Sequence, residues 1–130
     1  MPADPAGVLI DTNAVLWTIA RSKRLSARAR AIIGDAGHPL LVSAVSLWEV
    51  AIKHSSGKLR VPADLSRRLA ALRQVELLPI SPLHAEAVGT LPWHHRDPFD
   101  RMLVAQAIVE RVPVISSDPA LAQYGVDVIW

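Results

Sequence analysis

Five short apolar runs punctuate the chain: Val8-Leu9-Ile10, Leu40-Leu41-Val42, Leu77-Leu78-Pro79-Ile80, Val112-Pro113-Val114-Ile115 and Val126-Asp127-Val128-Ile129. Runs of this length read as strands. Between them lie segments with helical spacing of apolar residues: Ala14 to Ala20, Ser26 to Ile33, Ser46 to His54, Leu65 to Arg73, Leu83 to Leu91 and Phe99 to Arg111. Gly57 is placed to end the third of these, and Pro62 to stop it continuing. Strands alternating with helices imply right-handed crossovers and a mostly parallel sheet covered on both faces, which explains why the strands read as solid apolar runs. The expected fold is therefore α/β, a three-layer α/β/α sandwich around a five-stranded, mostly parallel sheet. No repeat, low-complexity tract or linker divides the 130 residues, so a single domain over 1–130 is expected, with about 1–7 as a flexible N-terminal extension.

In such a sheet, ligands collect beyond the carboxyl ends of the strands. Asp11 follows the first run directly. Ser43 follows the second and leads to Glu49 on the next helix, while Ser116 and Asp118 follow the fourth. Asp100 lies in line with Leu103, Val104, Ala107 and Ile108, the stripe expected to face inward, and its helix starts at the same edge because it runs antiparallel to the strand it precedes. A carboxylate so placed needs a partner.

Each acid also has an ordinary reading. Asp11, Asp97 and Asp118 suit N-cap positions, the last two with proline next in the chain, and Glu49 and Asp100 stand at capping-box spacing from Ser46 and Asp97. Taken together, Asp11, Glu49, Asp100 and Asp118 at one sheet edge repel one another unless a divalent cation sits among them. Oxygen donors without cysteine or a spaced histidine pair point to Mg²⁺ or Mn²⁺ rather than zinc. Asp97 is read as the cap that fixes the register of Asp100, with a surface ion pair to Arg101 four residues on. Ser116 is either a turn hydroxyl or the holder of a metal-bound water. His94 and His95 are assigned to an exposed loop, and the four tryptophans, Trp17, Trp48, Trp93 and Trp130, mainly to the core.

Composition adds limits. With no cysteine, disulfides, thiolate metal sites and cysteine catalysis drop out, which fits a reducing cytoplasm. Residues 1–7 lack the basic start and apolar run of a secretory signal, and no run approaches the roughly 18 residues of a membrane span. Net charge is only +2, but eleven of the fourteen basic residues are arginine, whose planar fork matches phosphate. No glycine-rich phosphate loop and no GxSxG elbow occurs, so nucleotide hydrolases and serine esterases are excluded.

The arrangement resembles the PIN-domain nucleases, specifically the VapC-type toxins of bacterial toxin–antitoxin pairs. The resemblance rests on Leu9-Ile10-Asp11-Thr12-Asn13, Ser46-Leu47-Trp48-Glu49-Val50-Ala51-Ile52-Lys53, His95-Arg96-Asp97-Pro98-Phe99-Asp100-Arg101 and Val114-Ile115-Ser116-Ser117-Asp118, four motifs in order over nearly the whole chain. It implies a Mg²⁺-dependent endoribonuclease in the cytoplasm, acting on an RNA substrate, blocked by a cognate VapB-type antitoxin and forming a homodimer. By position, Asp11, Glu49, Asp100 and Asp118 match the acidic quartet: Asp11 and Asp100 would hold metal, with Glu49 and Asp118 acting directly or through water. Asn13, Ser116 and Asp97 match supporting positions. Lys53, Lys58, Arg60 and Arg101 are the basic residues expected to hold the RNA backbone.

Two rivals come from other classes. A receiver-type signalling domain shares the length, strand count and acidic site, but it wants an aspartate after the third strand and a lysine after the fifth. Here Ile80 is followed by Ser81-Pro82, and Trp130 follows the fifth run. A catalytically inactive PIN-like module that binds RNA or protein is the other, and the intact quartet argues against it.

Overall fold

The computed structural model describes residues 7–72 and 75–130. Five strands, β1 (Val8–Ile10), β2 (Leu40–Ser43), β3 (Val75–Leu78), β4 (Val114–Ile115) and β5 (Val128–Ile129), form one sheet in the order β3-β2-β1-β4-β5. Every neighbouring pair is parallel, with Leu9 opposite both Leu41 and Val114. The helices are α1 (Thr12–Ile19), α2 (Ala27–Gly34), α3 (Ala44–Ser55), α4 (Leu65–Ala71), α5 (Pro82–Thr90) and α6 (Pro98–Glu110), and a 3-10 helix spans Pro119–Tyr124. The expected extension over 1–7 lies, apart from Gly7, outside the described residues, as does Arg73 of the fourth predicted helix. Gly7 itself is buried with φ near +132°, and a Cβ there would meet the Pro39 carbonyl oxygen at 2.7 Å, so only glycine fits beside β2.

The pleat divides the apolar runs between two cores. Val8, Ile10, Leu40, Val42 and Ile115 face α1, α2 and α4, whereas Leu9, Leu41 and Val114 face α5 and α6. Helices therefore cover both faces, giving the α/β/α sandwich. The strand order also excludes the receiver topology, in which the order is 2-1-3-4-5.

Element ends moved where proline or a cap intervenes. The third strand starts earlier than expected and stops before Pro79, and β4 begins only after Pro113, which has no N–H to give to a ladder. The fifth strand is shortened to Val128–Ile129. Ser43 rather than Ser46 caps α3, accepting from the Val45 N–H at 3.0 Å, so Glu49 has no capping box to complete. Ser46 instead accepts from the Thr12 hydroxyl at 3.0 Å, tying α3 to α1.

Candidate functional site

Strand β1 is central, and the chain leaves it toward β2 on one side and reaches β4 on the other. That reversal opens a crevice beyond the carboxyl ends of the strands. Asp11 is the next residue after β1 and caps α1, accepting from the Ala14 N–H at 2.8 Å. The cap holds its carboxylate at the crevice. Ser116, after β4, is fully buried; its hydroxyl accepts from the Asp118 N–H at 3.0 Å and favours the charged form of the Asp11 carboxylate. Asp118 caps the 3-10 helix through the Ala120 N–H at 2.9 Å.

Helix α6 brings the third acid. Asp97 is its N-cap, accepting from the Phe99 N–H at 2.8 Å and the Asp100 N–H at 3.3 Å, with Pro98 in the first turn. The Asp100 side chain plays no part in that cap, because the Asp97 N–H is taken by His95 Nδ1 at 3.1 Å. Its carboxylate is thereby left to the crevice. Along the same stripe Leu103, Val104 and Ala107 are buried as expected, but Ile108 is exposed.

Glu49 arrives from α3 and is 6% exposed. Its Oε2 meets Lys53 Nζ at 2.8 Å, while its Oε1 is buried with no hydrogen-bond partner. An ionisable oxygen left so is costly, by several kcal/mol unless something offsets it.

The acids act on one another. Burial pushes the Asp11 carboxyl above its ordinary range, hydrogen bonds from Ser116 and Ala14 oppose this, and Glu49 and Asp118 add repulsion. Burial likewise pushes Asp100 up to about 6, with repulsion from Asp97, Glu49 and Asp11 working against attraction from His95. Lys53 is held above its ordinary value chiefly by its bond to Glu49, then by the charges of Asp97 and Asp100. Four carboxylates from four elements thus share one field. Donor atoms of His95, Asp100 and Asp118 lie within 4.8 Å of one another, the span of a single ion's ligands.

A hard divalent cation suits this set. It is oxygen-rich, strongly anionic, and contains a buried oxygen in need of a partner.

Other residues fell elsewhere than expected. Arg101 is not a surface residue and makes no pair with Asp97: it is 4% exposed, and its guanidinium donates to the carbonyls of Pro92 (2.8 Å), Val88 (3.2 Å) and Leu91 (3.3 Å). It is committed to closing the end of α5 and so is withdrawn from the RNA-binding set. Trp93 lies over it at 3.8 Å and is 75% exposed, and Trp48 is 57% exposed against Phe99, so only Trp17 and Trp130 pack on the core. Lys58 and Arg60 are exposed, and Asn13 is exposed in the first turn of α1, lining with Trp17 and Arg60 a groove beside the crevice.

His95 stands in a loop as expected, but half-buried rather than exposed, with its Nε2 3.1 Å from Asp118 Oδ2 and 3.3 Å from Asp100 Oδ2. The available signal was its place two residues before an N-cap, where the cap's own N–H lacks a helical partner and can be taken by a side chain.

Comparison with known proteins agrees with this geometry. The PIN domain family model matches residues 8–127. No curated protein matches the chain. Among solved structures, the fold is similar to DNA-bound VapBC from Salmonella typhimurium (TM-score 0.69, 16% identity, covering 94% of this chain and 96% of that one). It is also similar to VapBC2 from Rickettsia felis bound to a promoter DNA fragment (TM-score 0.68, 13% identity, 93% and 96%). A toxin–antitoxin complex from Klebsiella pneumoniae matches at TM-score 0.58 and 22% identity, over 86% and 87%. The match spans β1 to β4 and all four acid-bearing elements, and the chain belongs to the PIN-domain family.

Proposed function

We propose that this chain is a divalent-cation-dependent endoribonuclease and the toxin of a VapC-type toxin–antitoxin pair. The observation that carries the reading is the buried, unpartnered Glu49 Oε1 inside a field of four carboxylates. A satisfied structural cluster would not leave it so. Mg²⁺ or Mn²⁺, held by Asp11 and Asp100 with Glu49 and Asp118 direct or through water, would supply Lewis-acid activation of water and neutralise charge at the scissile phosphate.

The protein's own groups do the rest. The caps at Asp11, Asp97 and Asp118 fix their carboxylates before any ligand arrives, so the donor set needs little reorganisation. Ser116 fixes the turn that carries Asp118 and favours the charged form of Asp11. Lys53 keeps one Glu49 oxygen neutralised and leaves the other facing the acids. Exposed Lys58 and Arg60 lie outside the acidic crevice and are suited to the RNA backbone.

The toxin assignment draws on the toxin–antitoxin complexes among the structural neighbours. A VapB-type antitoxin would block cleavage, and a basic side chain from it would satisfy the same carboxylates. Function in the cytoplasm, and as a homodimer, belongs to this reading. Among the described residues, no helix is long and apolar enough to cross a membrane.

The test is cleavage of RNA by the purified chain. Cleavage with Mg²⁺ or Mn²⁺ that EDTA abolishes is expected, together with its loss in Asp100→Asn at unchanged fold. EDTA-resistant cleavage, or full activity in that variant, would remove the proposal.

A further inference from the structure

The ring of His95 touches two of the four acids, and its proximity to Asp100 and Asp118 makes it look like a third ligand for a cation. Its other nitrogen argues otherwise. Nδ1 lies 3.1 Å from the Asp97 N–H, which has no other role to play at the start of α6. A backbone N–H can only donate, so Nδ1 must accept, and the proton of a neutral ring must then sit on Nε2. That proton goes to Asp118 Oδ2 at 3.1 Å, and Nε2 also lies 3.3 Å from Asp100 Oδ2. To bind a cation through Nε2, the ring would have to move its proton to Nδ1, placing two hydrogens in the gap to Asp97.

The ring has little freedom to turn over. The His95 N–H donates to the Tyr124 hydroxyl at 2.8 Å, and that oxygen also takes Arg101 Nη1 at 3.4 Å. Arg101 is itself held by three carbonyls. A buried frame therefore sets the backbone of His95, and the Asp97 cap sets its ring.

We infer that His95 is a positioning residue: its Nε2–H holds the Asp118 carboxylate while the ring stands against Asp100 of another element, fixing the two acids relative to each other, and it is not a metal ligand. The inference rests on the proposed metal-dependent activity and deepens it. Without the ring between them, Asp100 and Asp118 repel each other directly, and the donor set presented by α6 and by the turn after β4 spreads. The expected consequence is weaker cation binding and slower turnover with RNA binding nearly untouched. Groups that orient ligating carboxylates are typically worth about 10- to 100-fold in metal affinity or activity.

The ring nitrogens can be read directly by long-range ¹H–¹⁵N correlation on the whole chain at about pH 8, where an ordinary imidazole is neutral. The expected result is a proton on His95 Nε2 and none on Nδ1, both without metal and at saturating Mg²⁺. A proton on Nδ1 in either state, or loss of the Nε2 proton on adding Mg²⁺, overturns the inference. Kinetics supply the second arm. His95→Ala should lower kcat about 10- to 100-fold with the KM for RNA within about twofold, and His95→Gln, whose amide can donate from near the Nε2 position, should recover most of the loss. Equal damage in both variants, or none in either, also overturns it. If the unaltered chain neither binds Mg²⁺ nor cleaves RNA, the ribonuclease reading fails instead, and the metal-free tautomer still decides which atom donates to Asp118.

Discussion

Two histidines in this protein use the same device with opposite outcomes. His84, in the first turn of α5, accepts the Ser81 N–H on Nδ1 at 2.9 Å and meets Glu110 Oε2 through Nε2 at 2.8 Å. His95 accepts the Asp97 N–H on Nδ1 and turns Nε2 toward Asp118 and Asp100. Around His84 every group is matched: Gln106 takes the Ser43 hydroxyl on its oxygen and gives its amide to the Pro79 carbonyl at 3.3 Å, and Ser43 caps α3. Around His95 the ring bonds one carboxylate and lies beside a second, while a neighbouring glutamate oxygen has no partner. A closed network of this kind stabilises and specifies a core, and an open one marks a place where a ligand completes the structure.

Substitutions should separate the two regions. The largest effect is expected for Asp100→Asn, which should cut RNA cleavage by roughly three orders of magnitude or more, as loss of a single catalytic group commonly does, while raising the thermal midpoint of the metal-free protein. A midpoint that falls would mean the acids are structural after all. At the closed network, His84→Ala strands Ser81, Glu110 and part of Gln106. It should cost about 2–3 kcal/mol in denaturant unfolding, with kcat per folded molecule unchanged. If activity falls in step with Asp100→Asn, the distinction between the regions disappears.

The pH dependence of stability sharpens the same contrast. The Asp100 carboxyl keeps its proton up to about 6 in the fold, against an ordinary value of 3.8. Between those values the folded chain binds more protons than the unfolded one, so stability falls as pH rises, and the loss is complete above about 6. Asp100→Asn lacks that titration: its advantage over the unaltered protein should be absent near pH 3.8, grow through about 6 and then level off. Mg²⁺ should shrink the advantage by stabilising only the unaltered chain. Thermal unfolding across that range, with and without Mg²⁺, checks both statements.

The smallest effect concerns the cations. Lys58→Ala and Arg60→Ala should each lower the slope of log affinity for RNA against log salt by about one. Arg101→Lys should leave that slope alone and lower stability, because an ammonium cannot replace a fork that reaches three carbonyls.

The pattern of runs and spacings was sufficient to read five strands, the alternation of helices and the sandwich, since each strand faces two cores and so stays apolar throughout. It located the caps at Asp11, Asp97 and Asp118 as well, because capping is settled within three or four residues. Where partners come from afar, reading the chain fell short. Arg101 looks like a surface cation at helical spacing from Asp97, and only the folded end of α5 supplies the carbonyls that draw it in. Trp48 and Trp93 look like core, and nothing local to either says that the core is already filled by aliphatic side chains from the sheet. His95 needed both the capping geometry beside it and the turn after β4, which is remote in sequence.

The central position of β1 has a consequence for how the protein is made. Asp11 is made before Asp118, but the strand before Asp11 pairs with β4, and Asp118, which follows β4, comes more than a hundred residues later. A nascent chain holds one acid of the set, then two, then three, with no arrangement that brings them together until β4 has docked against β1. On the proposed reading, topology alone withholds the complete donor set until β4 and Asp118 have been made and docked, and the period in which an antitoxin is needed opens only then.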